Sequence, residues 1–180
     1  MSDWKRTTRE ISFEKLPPAM VSAINQHVEK YNLGPILSDA LMCVQTDSEK
    51  PKKGLFGKAE SVQMGMVVTP RWLVWAITGT TLREVVVLSA QLSHITVQDY
   101  AQTPFAKMVS DSGMEVSGIF SDARESASAF IALEAGGAGK KCRDVVIQAA
   151  QNAKKQQAPK IGSLLFHFRE PMPRASKARS

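Results

Sequence analysis

Ser61–Ile77, SVQMGMVVTPRWLVWAI, carries the strongest strand signal in the chain. Val62, Met64, Met66 and Val68 alternate with Ser61, Gln63, Gly65 and Val67, and after Thr69–Pro70–Arg71 an apolar run resumes from Trp72 to Ile77. Period-two spacing rich in β-branched and aromatic residues predicts half-buried strands. Proline presets φ for a turn but cannot donate into a ladder, so the two runs read as a hairpin.

Similar runs lie on either side. Ala40–Thr46 precedes the hairpin, and Glu84–Leu88, His94–Gln98, Met114–Phe120 and Ala127–Glu134 follow it, giving about seven strands in all. Ser89–Ser93 reads as a softer link, and Asp99–Ser112 as loop, since Pro104 argues against a central strand there. Residues 1–16 are mixed polar and read as loosely held. Pro17–Pro18 open a helix to about Tyr31, with Val21, Ile24, Val28 and Tyr31 as its apolar stripe and Gly34–Pro35 as its stop. His27 is expected at the solvent or the edge of the core. A final helix spans about Lys140–Gln156, with Cys142, Val145, Val146, Ala149, Ala150 and Ala153 on one face and Lys, Arg, Asp and Gln opposite. The small side chains of that stripe predict close packing.

The chain has 180 residues, 43% of them hydrophobic, enough for one core. No run approaches the roughly 20 apolar residues that span a bilayer. The charged N-terminus lacks the apolar stretch of a secretory signal, and Cys43 and Cys142 match no metal spacing, so two reduced, buried thiols in a cytoplasmic protein are expected. The net charge of +6 is not spread evenly. From Lys154 onward, Lys154, Lys155, Lys160, Arg169, Arg174, Lys177 and Arg179 face only Glu170, which accounts for the whole excess. In that tail Leu164, Leu165, Phe166 and Phe168 form an apolar cluster that needs a cover, from the same chain or a partner.

Catalytic signatures are absent from the pattern. GLFGK at Gly54–Lys58 lacks the spacing of a phosphate loop, since Ala59 follows the lysine. Neither HExxH nor GxSxG occurs, and His27, His94 and His167 have no companions at a spacing that nucleophilic or zinc chemistry uses. The chain is therefore expected not to be an enzyme, and nothing in it calls for a cofactor or a metal. What the loop after the first strand does offer is charge. Lys50, Lys52, Lys53 and Lys58 surround Leu55 and Phe56, a set suited to an anionic headgroup with two apolar side chains dipping into the interface.

This order of elements, with VVTPRWLVWAI (Val67–Ile77) and REVVVLSAQLSHITVQ (Arg83–Gln98) as the most similar stretches, resembles the pleckstrin-homology (PH) superfold, in particular its compact bacterial form. The resemblance implies a mainly β, α+β fold: a partly open barrel of antiparallel strands in two nearly orthogonal sheets, plugged by the C-terminal helix, with the first helix as an addition. It divides the chain into an N-terminal extension (1–35), a PH-like domain (36–157) and a basic tail (158–180). It also implies binding in place of catalysis. Members that hold phosphoinositides carry basic residues within the first two strands. ALMCVQT and SVQMGMVV carry none, which ranks a protein or peptide partner first. The alternative is an anionic membrane surface met by the lysine loop and the tail, placing the protein peripherally on a membrane. Nucleic acid ranks lower, because few aromatics interleave the tail's charges, and self-association stays open.

Overall fold

The Ser61–Ile77 hairpin forms as read. In the computed structural model, which describes residues 4–51, 59–121 and 125–157, β3 (Glu60–Val68) pairs antiparallel with β4 (Trp72–Gly79). Thr69 closes the turn: its Oγ1 accepts from the backbone N–H groups of Arg71 at 3.1 Å and Trp72 at 2.8 Å, leaving Pro70 at the surface. The other strands are β1 (Lys5–Glu10), β2 (Met42–Lys50), β5 (Val86–Asp99), β6 (Gly113–Phe120) and β7 (Ala127–Ala132). All seven lie in one antiparallel sheet in sequence order, curled into a half-barrel. Helices α1 (Pro18–Lys30) and α2 (Gly137–Gln157) complete the described chain.

The strand number agrees with expectation through two offsetting differences. Lys5–Glu10, read as loosely held, is β1, and it pairs along its whole length with β2. The two runs expected at Glu84–Leu88 and His94–Gln98 are one 14-residue strand, β5. Its first part pairs with β4 and its second with β6, with a register shift between Ala90 and Ile95. An irregularity of this kind bends a strand and lets one sheet turn a corner. One continuous sheet thus forms the half-barrel expected from two. Ser89, which made the middle of the strand look like a link, is buried on the convex side beneath α1.

Two apolar clusters hold the fold. The inner one fills the half-barrel with Val44, Met66, Leu73, Trp75, Leu92, Ile95, Met114, Val116 and Ile131, sealed by Cys142, Val146, Ala149, Ala150 and Ala153 of α2. The Trp75 ring meets Phe120 edge-on at 5.4 Å, a favourable aromatic geometry. The outer cluster lies on the convex face, where Phe13, Leu16, Met20 and Ile24 cover Cys43, Val67, Val74 and Ala76. The central strands are therefore buried on both faces, which is why MGMVV and LVWA lose their alternation and become continuous apolar runs.

Each helix differs from its expected face in one respect. In α1 the buried residues are Met20, Ile24 and His27, while Val21, Val28 and Tyr31 flank them half-buried, so the contact line is centred one position from the expected stripe. The cause is Gly65: a Cβ there would lie 2.7 Å from Leu16 and 3.2 Å from the Met20 sulfur, so its bare backbone is what Leu16 and Met20 rest upon. In α2, Arg143 was expected among the polar residues and is buried instead. Its guanidinium donates to the carbonyls of Glu134 at 2.9 Å and Ala135 at 2.7 Å and stands 3.3 Å from the Asp99 carboxylate. A buried guanidinium is tolerated when its donors are met in this way.

Candidate binding surfaces

The curl brings the sheet's two edges, β1 and β7, within side-chain reach, where they close without a backbone ladder. Thr8 N–H donates to the Glu134 carboxylate at 3.2 Å, and Glu134 N–H donates to Thr8 Oγ1 at 2.9 Å. Each side chain satisfies the other's main chain at an edge that would otherwise be bare. Nearer the start of β1, Arg6 pairs through both terminal nitrogens with Asp111, and its guanidinium lies 5.8 Å from the Phe130 ring centroid. Burial lowers the pKa of Arg6.

Beside this seam is a cavity of about 290 Å³. It lies toward the end of the half-barrel away from α2: the helix engages the last residue of β1 through the Lys141–Glu10 ion pair, whereas Trp4 and Arg6 line the cavity with Ser48 of β2 and Ile77 of β4. The convex face of β1–β3 is polar where α1 does not cover it. Arg9 pairs with Asp47 there, and Gln45 and Gln63 donate to the other Asp47 oxygen at 2.9 and 3.0 Å. That bare face is a groove in which Asp47 gathers Arg9, Gln45 and Gln63.

A third surface comes from the segment read as loop. Between β5 and β6 the chain makes two short 3-10 turns, Tyr100–Gln102 and Pro104–Lys107. Asp99 opens the first by accepting from Ala101 N–H at 2.9 Å, and Thr103 Oγ1 donates to the Tyr100 carbonyl at 2.8 Å. Tyr100 then pins the far side: its hydroxyl donates to the Val109 carbonyl at 3.0 Å, and its ring meets Phe130 in a tilted contact at 4.8 Å. The segment so ordered presents Phe105, Met108 and Val109 to solvent, at 61%, 83% and 59% exposure. Three large apolar side chains are thus exposed within five residues of one another.

Of the residues singled out from the sequence, Lys50 ends β2 with its ammonium 5.7 Å from the Trp4 ring centroid, at the rim of the open end. Lys52, Lys53, Leu55, Phe56 and Lys58 lie outside the described residues, as do Leu164, Leu165, Phe166 and Phe168 of the tail. Arg6, Asp111, Phe105, Met108 and Val109 went unrecognised. The exposed trio had one available signal, FAKMV, an apolar cluster inside a stretch too polar and Pro-broken to be a strand.

The reactive side chains are held in quiet surroundings. His27 Nε2 lies 3.0 Å from Ser89 Oγ and 3.2 Å from Ser121 Oγ, a nucleophile–base spacing. His27 of α1 and Ser89 of β5 are both buried, and the group clasps the helix to the sheet. Both cysteines are free and buried. Burial, with Glu14 adding to it, pushes the Cys43 thiol up to about 11. Burial pushes Cys142 to about 12, against the opposing pull of Arg143. Such thiols stay protonated near neutrality and are poor nucleophiles. Among the described residues no group of three or more His, Cys, Asp and Glu is placed to hold a metal ion. Among the described residues, no helix is long and apolar enough to cross a membrane. No family model, curated protein or solved structure matches this chain, so its function has to be read from its own residues.

Proposed function

We propose that this chain is a non-catalytic, PH-like binding module that docks a protein partner on the Phe105–Met108–Val109 ridge. The observation that carries the reading is the ridge itself. Its backbone is tied down by Asp99, Tyr100 and Thr103, so little backbone ordering is left to pay for at the moment of binding. The partner that fits is a segment with an apolar pocket or stripe, since Lys107 is the one charged side chain between Phe105 and Val109. Selection of peptides from a random display library on the full chain tests this. Enriched peptides should lose about tenfold or more in affinity when Phe105, Met108 and Val109 are all changed to Ser. Peptides that bind the triple variant equally well, or no enrichment at all, would remove the ridge from consideration.

The second reading, an anionic membrane surface, rests on Lys50 at the open end and on the lysines that follow it in sequence, since in the groove beside it Lys5 and Lys50 are balanced by Glu49 and Glu60. Sedimentation with neutral and anionic vesicles at low and high salt separates the two. Salt-sensitive binding to anionic vesicles, lost when Lys50, Lys52, Lys53 and Lys58 become Glu, would put the membrane first.

A further inference from the structure

A groove runs between α2 and the residue just before β2, and among the described residues nothing covers it. Leu41, Val145 and Ala149 are its apolar members, and it measures about 700 Å³. Leu41 is 53% exposed, its backbone held by the N–H bond to the Val68 carbonyl at 2.8 Å. The charges along the groove are already matched: Lys140 pairs with Asp144, and Lys141 pairs with Glu10. Balanced charges favour an uncharged occupant, and an exposed leucine beside a half-buried valine favours an apolar one. The same chain carries an apolar segment of that kind. Leu164, Leu165, Phe166 and Phe168 need a cover, and they follow α2, which forms one wall of the groove. Their reach allows the contact. The described part of α2 ends at Gln157, and at about 1.5 Å per helical residue Ala149 lies about 12 Å and Val145 about 18 Å back along the helix. Pro159 cannot carry a helix on, and the stretch 158–163 can span about 20 Å when extended. So short a tether also keeps the cluster at an effective concentration of about millimolar, ahead of a partner free in solution.

We propose that the apolar cluster Leu164–Phe168 docks on its own chain, in the groove between α2 and Leu41. Docking there starts the tail's basic residues, from Arg169 on, at the α2 end of the half-barrel, opposite the end where Lys50 stands. The contact uses none of Phe105, Met108 and Val109, so it stands or falls apart from the docking ridge. Nuclear Overhauser cross-peaks in the full chain decide it, because they report direct proximity alone. The Phe166 and Phe168 ring protons should show cross-peaks to the methyl groups of Leu41 and Val145. Changing Leu164, Leu165, Phe166 and Phe168 to Ser alters no residue of the barrel, and it should shift those two methyl signals while leaving the Ile77 signal in place. A sample mixing two differently labelled chains should show no ring-to-methyl cross-peaks between chains. Absence of the cross-peaks from the unaltered chain would overturn the proposal, as would Leu41 and Val145 signals that the serine changes leave unmoved. Ring cross-peaks to Met108 and Val109 in place of Leu41 would overturn it by putting the tail on the ridge. Cross-peaks between chains would do so by making the occupant a second copy.

Discussion

The two helices cover opposite faces of one sheet and use opposite side chains to do it. Helix α1 lies on the convex face and reaches down with Met20 and Ile24. Helix α2 closes the concave side and approaches with Cys142, Ala149, Ala150 and Ala153. A convex surface falls away from a helix axis, so long side chains are needed to keep contact; a curled interior is already filled by strand side chains and admits a helix only if its own are short. Glycine appears at the tightest approach in each case, on the sheet under α1 and at the helix start in α2. Gly65 bears Leu16 and Met20, and a Cβ at Gly139 would lie 2.2 Å from the Glu134 carbonyl oxygen. The inner helix is thus part of the barrel's core, and the outer one is a cover.

That distinction can be broken at its strongest point. Trp75→Ala, in the inner cluster, should cost about 3–5 kcal/mol in urea denaturation and bring α1 and the sheet down in one transition. A loss below about 1 kcal/mol, or separate transitions for α1 and the sheet, would mean that the inner cluster is not the main one. Gly65→Ala acts only on the cover: about 1–3 kcal/mol is expected as Leu16 and Met20 are displaced. Hydrogen exchange should show lost protection in α1 while β6 and β7 keep theirs. Equal loss everywhere would make the two clusters one unit. Thr8→Val keeps the backbone bond to the Glu134 carboxylate but removes the Oγ1 that accepts from Glu134 N–H and meets Thr46; it should cost about 1 kcal/mol, with faster exchange confined to β1 and the residues just after β7, and an unchanged β1 would show that the ladder to β2 suffices.

The mildest probe leaves the sequence alone. Cys43 belongs to the outer cluster and Cys142 to the inner, so iodoacetamide near pH 8 should label Cys43 first, through openings of α1, and Cys142 only on global unfolding. Both thiols are raised above their ordinary value of 9.0. The unfolded chain therefore loses these protons at a lower pH than the folded one, so the thiols' contribution to stability should be constant below about pH 9 and fall as pH rises toward 11 and 12. A rise over that interval would contradict the burial of the thiols.

The elements legible from sequence were those whose burial leaves a local period. Val62, Met64, Met66 and Val68 face one way on β3, and the α2 stripe repeats at three and four residues, because each of those faces packs into the inner cluster. KRTTRE (Lys5–Glu10) has no period to read. Its ordering comes from the ladder to β2 and from Glu134 and Asp111, more than 100 residues away. Ser89 and Arg143 misled for a related reason: a buried polar residue looks exposed until its partners, His27 for one and the Glu134 and Ala135 carbonyls for the other, are in place.

By itself, then, the sequence determined the mainly β class, the hairpin at Ser61–Ile77, the two helices and the balance of charge, all consequences of side-chain spacing along a regular backbone. Only the tertiary structure decided that β5 is one bent strand, that β1 joins the sheet, and that Arg6 meets Asp111 beside an apolar cavity. Periodicity records that a residue is buried but not what buries it, and an edge strand, a bend and a seam exist only once the sheet has curled.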